Sequence, residues 1–164
     1  MDYSRSQPAT TLRIQHGAPC GSLDQNTAVA GEPTDGEGPM KTVQSMLAEA
    51  DAEVPRITPD EAKGLLGRAD VLFLDVREPA EVTASGKIPG AVAIPRGLVE
   101  FRADPASAMH DAVFDRTKTV IAYCASGGRS ALVGKTLKDM GYGNVRNLGG
   151  FKGWLDAGGD VEKG

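Results

Sequence analysis

One stretch of the sequence combines a nucleophilic side chain with a strand, a tight loop and the start of a helix. Residues 120–123 form a short apolar run that leads directly into Cys124, and a helical pattern covers residues 130–140. At such a junction the first N–H groups of the helix lack intrahelical partners and can converge on an anion. A cysteine there ionises more readily, because these N–H groups stabilise the thiolate. The pattern therefore predicts a nucleophilic cysteine.

The residues after Cys124 suit a loop that holds a negatively charged group. Gly127 and Gly128 permit positive φ angles and a close approach of the backbone to a ligand, and Arg129 adds a permanent cation with forked donors. The alternative is that Cys124 is a small buried core residue at the end of a strand. The Ser-Gly-Gly-Arg-Ser sequence that follows favours catalysis. We expect the substrate to be bound by Ala125, Ser126, Gly127, Gly128, Arg129 and Ser130.

Residues 124–130, Cys-Ala-Ser-Gly-Gly-Arg-Ser, are one of four short motifs. The others are LDVREP at 74–79, GKIPGA at 86–91 and LGGFKGW at 148–154. In this order they resemble the active-site loop, the Asp-x-Arg strand end, the Gly-His-Ile-Pro-Gly-Ala turn and the closing Gly-Gly-x-x-x-Trp segment of the single-domain rhodaneses, the thiosulfate-type sulfurtransferases. The resemblance covers residues 54–160. Lys87 stands where the family usually has histidine; we assign it no chemistry, because the proline and glycine of the turn determine its geometry.

The resemblance implies sulfur transfer through Cys124. Its thiolate takes the outer sulfur of thiosulfate or a similar donor, and an acceptor thiol or cyanide then removes it from the persulfide. No metal and no organic cofactor is expected, and the partners are small-molecule donors and acceptors, with a protein thiol as a further candidate. One alternative is a persulfide carrier that delivers sulfur to a partner protein.

A second alternative is a cysteine phosphatase or arsenate reductase of the same fold. Those enzymes resemble Cys-x5-Arg, usually with histidine before the cysteine. Here four residues separate Cys124 from Arg129, and Tyr123 precedes the cysteine. The shorter loop makes a smaller cradle, which suits a sulfur atom better than a tetrahedral oxyanion.

Strands that alternate with helices predict an α/β fold, a three-layer α/β/α domain around a parallel sheet. The rhodanese resemblance implies five central strands, and residues 54–57 are predicted as an edge strand. Asp75 and Arg77 lie at the end of the strand that begins at Val71, the edge at which parallel sheets bind ligands. They are expected to support the site. We favour a structural ion pair or helix cap over an ordering of the cysteine loop, because Glu78 and Glu81 are within reach of Arg77.

The domain organisation follows from composition. Residues 1–39 are polar and rich in Gly and Pro, and are predicted to be disordered. Residues 40–53 are predicted to hold an amphipathic helix and a linker, with a partner-binding helix as the alternative, and residues 54–164 the rhodanese-like domain. His16 and Cys20 are four residues apart, but Gly17 and Pro19 argue against a helical metal site.

The whole chain of 164 residues has 40% hydrophobic residues and a formal net charge of −4. This charge argues against a nucleic-acid partner. No apolar run approaches the length of a membrane span, and no secretory signal is evident. Two cysteines far apart do not form a disulfide framework. These features predict a cytoplasmic protein without a membrane partner.

Overall fold

Four parallel strands form the sheet that positions the cysteine loop. The computed structural model describes residues 40–163. Its strands are β1 (Val71–Asp75), β2 (Val92–Ala93), β3 (Thr119–Cys124) and β4 (Val145–Gly150). Their order is β2-β1-β3-β4, and each pairing is parallel. Strand β3 is therefore central, and Cys124 ends it at the edge where parallel sheets bind ligands.

The helices follow local signals in the sequence. They are α1 (Val43–Glu53), α2 (Pro59–Lys63), α3 (Pro79–Ser85), α4 (Val99–Ala103), α5 (Gly128–Asp139) and α6 (Phe151–Asp156). Thr58 caps α2 by accepting a hydrogen bond from Glu61 N–H, and the Glu61 carboxylate accepts one from Thr58 N–H. Helix α5 stops just before Gly141, whose φ of +91° suits glycine.

The prediction of a five-stranded sheet is wrong, because residues 54–57 do not form a strand. Arg56 makes only an isolated parallel bridge to Asn147 on β4. Two backbone hydrogen bonds hold it, from Asn147 N–H to Pro55 O and from Ile57 N–H to Asn147 O. Pro55 has no N–H to extend the ladder, and the capping of α2 by Thr58 ends the extended segment on the other side.

Alternate residues of the strands enter two apolar clusters, one on each face of the sheet. Leu72, Leu74, Val120, Ala122 and Cys124 pack with residues of α4 and α5, among them Val99, Val133 and Leu137. Phe73, Ile121 and Tyr123 pack with Ala62, Phe151 and Trp154 on the other face. The strands are buried on both faces, as a parallel sheet between two helical layers requires. Cys124 therefore points to the same face as α5.

Helix α1 (Val43–Glu53) lies within residues 40–53, where the sequence predicts an amphipathic helix. Its C-terminal end lies against α5, where a Cβ at Gly134 would come within 2.7 Å of Val54. Ala50 is buried, whereas Val43 and Met46 are exposed. Within residues 40–163, no helix is both long and apolar enough to cross a membrane. The predicted disordered extension, with His16 and Cys20, lies outside the described residues.

Candidate active site

Cys124 is the last residue of β3 and is fully buried, while Ala125 and Ser126 after it are exposed. The loop closes at Gly127, the residue before α5, which has a φ of +100°. An L-residue side chain would be strained there, and its Cβ would also meet Gly149 Cα at 3.1 Å. The expectation of positive φ therefore applies to Gly127; Gly128 begins the helix.

The loop directs hydrogen-bond donors at the cysteine sulfur. Gly127 N–H donates to Cys124 Sγ at 3.1 Å, and Ser130 Oγ lies 3.6 Å from the same sulfur. Burial raises the pKa of Cys124. Hydrogen bonds from the backbone and hydroxyl of Ser130 and from the backbone N–H groups of Ser126 and Gly127 outweigh burial, so the pKa lies below its usual value. The geometry thus favours a thiolate.

Asn147 on β4 forms hydrogen bonds with the loop, and it is not among the site residues predicted from the sequence. Its buried side chain accepts hydrogen bonds from Ser130 Oγ at 2.8 Å and Gly149 N–H at 2.9 Å, and donates to Gly127 O at 3.3 Å. Asn147 lies two residues after Val145, which packs in the cluster on the α5 side of the sheet, so the alternation of the strand turns Asn147 to the side of the loop. The signal available in the sequence was the polar Asn147 between the apolar Val145 and Leu148, two residues before the Gly149-Gly150 pair.

The glycine pair at the end of β4 lets the loop lie directly on the strand. A Cβ at Gly150 would stand 2.6 Å from Ala125 O and 3.2 Å from Ser126 Cα. Real Cβ atoms do not come so close to backbone atoms, so any other residue would displace the loop. The closing Gly-Gly motif of the sequence is therefore part of the site through its backbone.

Arg129 forms a bidentate ion pair with Glu81 on helix α3. The Nη1–Oε2 and Nη2–Oε1 distances are 2.7 and 2.8 Å, and both side chains are about one-third exposed. From the sequence alone, Glu81 is expected near Arg77, four residues before it in the chain. The partner of Arg129 is 48 residues away in the chain, and no local pattern connects the two.

Asp75 and Arg77 form a buried ion pair beside the site, and their side-chain hydrogen bonds are to groups other than Cys124. Arg77 Nη2 lies 2.6 Å from Asp75 Oδ2. The guanidinium also donates to Ser85 Oγ and Gly86 O, and it lies 4.2 Å from the centre of the Phe151 ring. The pair therefore joins the end of β1 to the end of α3 and to α6, a structural arrangement with Asp75, and not Glu78 or Glu81, as the partner.

Lys87, at the position where the family usually has histidine, stabilises the turn through contacts of its ammonium group. Its Nζ donates to Ala91 O at 2.9 Å and lies 3.0 Å from Glu162 Oε1. The neighbouring Ile88 N–H donates to the hydroxyl of buried Tyr123 at 3.0 Å. The residue that precedes Cys124 therefore anchors this turn to β3.

The family model for the rhodanese-like domain matches residues 58–157. The chain belongs to this family. The match includes all four strands and the complete loop from Cys124 to Ser130. The resemblance read from the four sequence motifs is confirmed.

The similar proteins include enzymes of sulfur transfer. A sulfurtransferase of Allochromatium vinosum is 42% identical over 86 residues, which are 52% of this chain and 72% of that protein. A thiosulfate:glutathione sulfurtransferase of Saccharomyces cerevisiae is 32% identical over 114 residues, 62% of this chain and 78% of that protein. A solved structure from Rhodopseudomonas palustris is of a protein of unknown function described as a possible tyrosine phosphatase. Its sequence is 40% identical and its TM-score is 0.71, and the match covers 77% of this chain and 98% of that one.

Proposed function

We propose that the protein transfers sulfane sulfur from thiosulfate to a thiol or cyanide through a persulfide on Cys124. The observation that carries the proposal is the set of donors around the sulfur, with Gly127 N–H at 3.1 Å and the Ser130 hydroxyl at 3.6 Å. These groups stabilise a thiolate, which is the nucleophilic form of cysteine. The sulfurtransferases among the relatives support the same reaction class.

The chemistry proceeds in two displacements. The Cys124 thiolate attacks the outer sulfur of thiosulfate, the S–S bond of the donor breaks, and sulfite leaves with its electron pair. The persulfide anion that remains on Cys124 then gives its terminal sulfur to the acceptor, which regenerates the thiolate. Cyanide yields thiocyanate, and a thiolate such as that of glutathione or of a partner protein yields a new persulfide. Both steps use only the protein and its substrates, so the proposal includes no metal and no cofactor.

Arg129 is proposed to bind the sulfonate end of the donor. Glu81 occupies two of the five N–H donors of its guanidinium, which leaves donors of the fork for a substrate and for the Cys124 sulfur. The exposed Ala125 and Ser126 form the outer side of the loop, where a donor would enter. Gly127, Gly128 and Ser130 complete the proposed binding loop, and Asp75 with Arg77 supports it from the neighbouring strand.

Thiocyanate formation from thiosulfate and cyanide tests this function. Cys124→Ser should abolish it, because a hydroxyl is a poor nucleophile at neutral pH and cannot carry a persulfide. Cys20→Ser is the matched control and should retain the activity of the wild type. Equal activity in the Cys124→Ser variant and the wild type would contradict the proposal.

A phosphatase is the second candidate, favoured by the description of the Rhodopseudomonas palustris protein. Its nucleophile would also be Cys124, but its cradle must bind a tetrahedral phosphoryl group. Four residues between Cys124 and Arg129 make a short loop for this purpose, and Glu81 already holds the guanidinium. Hydrolysis of p-nitrophenyl phosphate, measured beside thiocyanate formation on the same preparation, distinguishes the two. Phosphate release without thiocyanate formation would favour the phosphatase.

A further inference from the structure

Glu81 places a fixed negative charge beside the catalytic loop. Its carboxylate receives both arms of the Arg129 guanidinium, at 2.7 and 2.8 Å, and also the backbone N–H of Glu78 at 3.0 Å. It lies in the first turn of α3, where the helix dipole favours an anion. Two hydrogen bonds from Arg129, one from the Glu78 backbone and the helix dipole therefore hold this carboxylate in one position and in its charged form.

The ionisation of Glu81 agrees with this geometry. The hydrogen bonds from Arg129 and from the Glu78 backbone lower the pKa of Glu81 to about 2. Both Glu81 and Arg129 are thus charged throughout the neutral pH range, and the net charge of the pair is zero. A substrate anion that approaches Arg129 meets the attraction of the guanidinium together with the repulsion of the neighbouring carboxylate.

We propose that Glu81 is a specificity-determining residue, which restrains the use of dianionic sulfur donors such as thiosulfate relative to less charged donors such as organic persulfides. This inference rests on the proposed sulfurtransferase function. Thiosulfate brings a sulfonate to the vicinity of the Arg129–Glu81 pair, and repulsion from Glu81 weakens its binding. An organic persulfide has no sulfonate and depends less on the net charge of the pair.

The persulfide reaction leads to the same enzyme intermediate. The Cys124 thiolate attacks the terminal sulfur of an alkyl persulfide, the S–S bond of the donor breaks, and the alkyl thiolate leaves with its electron pair. The proton of the donor's terminal S–H stays with the transferred sulfur or passes to the departing thiolate. No oxidant or reductant is needed, so the two donors can be compared on one enzyme with one acceptor.

A purely structural role for Glu81 makes a different prediction. If Glu81 only keeps Arg129 and the loop in place, its replacement weakens the reaction of both donors together. If it selects among donors by charge, the ratio of the two kcat/KM values changes. The ratio is therefore the informative quantity, and the absolute rates are secondary.

The test is Glu81→Gln, which keeps the size of the side chain and an oxygen for Arg129 while removing the charge. We expect kcat/KM for thiosulfate to rise by roughly 3- to 10-fold relative to kcat/KM for a small alkyl persulfide, the factor for one charge removed near a dianion in largely aqueous surroundings. Glu100→Gln is the matched control: it makes the same change in net charge at a carboxylate that pairs with Arg96 on the surface. It should leave the ratio unchanged.

The outcomes separate this inference from the proposed function. A ratio that stays constant or falls in Glu81→Gln, while the wild type uses both donors, would overturn the role of Glu81 and leave the sulfurtransferase function intact. A wild type that uses neither donor would overturn both. Glu81→Met, also uncharged and of similar length, gives the same test if Glu81→Gln does not fold, as judged by thermal unfolding.

Discussion

The Ser130 hydroxyl has one proton and three acceptors around it, and this makes its contribution to the thiolate calculable. Cys124 Sγ lies at 3.6 Å, Gly127 O at 3.0 Å and Asn147 Oδ1 at 2.8 Å. Both oxygens have other donors: Ala131 N–H and Asn147 Nδ2 for Gly127 O, and Gly149 N–H for Asn147 Oδ1. The proton is therefore free to turn to the sulfur when Cys124 ionises.

Ser130→Ala should raise the pKa of Cys124, because it removes a donor that stabilises only the thiolate. A hydrogen bond to a charged group contributes about 1.5–3 kcal/mol. The Sγ–Oγ distance is long, and the hydroxyl proton must leave Gly127 O or Asn147 Oδ1 when it turns to the sulfur. The contribution of the Ser130 hydrogen bond is therefore expected at the lower end of this range. About 1.4 kcal/mol corresponds to a factor of ten in ionisation, so the thiolate fraction below the pKa should fall by about 10-fold.

The assay is the rate of alkylation by iodoacetamide as a function of pH, in a Cys20→Ser background so that only Cys124 reacts. The variant should react about 10-fold more slowly at pH values well below the wild-type midpoint, where both proteins are mostly protonated, and the two curves should converge at high pH, where both are ionised. Ser126→Ala is the matched control, because it keeps the backbone N–H that serves the loop. An unchanged midpoint in Ser130→Ala would refute the assignment of its hydroxyl as a thiolate donor.

Two further substitutions test the support of the loop, and a third tests the binding of the donor. Asn147→Ala should lower the free energy of unfolding by about 2–4 kcal/mol in urea titrations, because it leaves buried groups without partners. Gly150→Ala should destabilise the protein by about 1–3 kcal/mol through its clash with Ala125 O, whereas Gly153→Ala, with nothing within 4 Å, should not. Arg129→Ala should lower kcat/KM for thiosulfate by about 10- to 150-fold, from the loss of a charged hydrogen bond; an unchanged value in steady-state kinetics would remove Arg129 from donor binding.

The parts of the fold that the sequence predicted are those encoded by neighbouring residues. The apolar run that begins at Val71 is β1, the capping box at Thr58 begins α2, and Gly141 ends the turn after α5. The junction at Cys124 is equally local, since strand, loop and helix start follow one another in the chain. Contiguous patterns of this kind carry their own geometry.

The features that the sequence did not predict depend on contacts between distant residues. Asn147 meets the loop at Gly127 across 20 residues, and Glu81 meets Arg129 across 48. The fifth strand was expected from the resemblance, but Pro55 limits that segment to one bridge. Polar partners of this kind become visible only when the topology brings their elements together.

The measurement that tests the central claim most directly is the intact mass of the protein after incubation with excess thiosulfate and removal of small molecules. The wild type should gain one sulfur atom, and cyanide should remove it with release of thiocyanate. The Cys124→Ser variant should gain none, and Cys20→Ser should behave as the wild type. A wild type whose mass does not change, or a sulfur gain that persists in Cys124→Ser, would contradict sulfur transfer through Cys124.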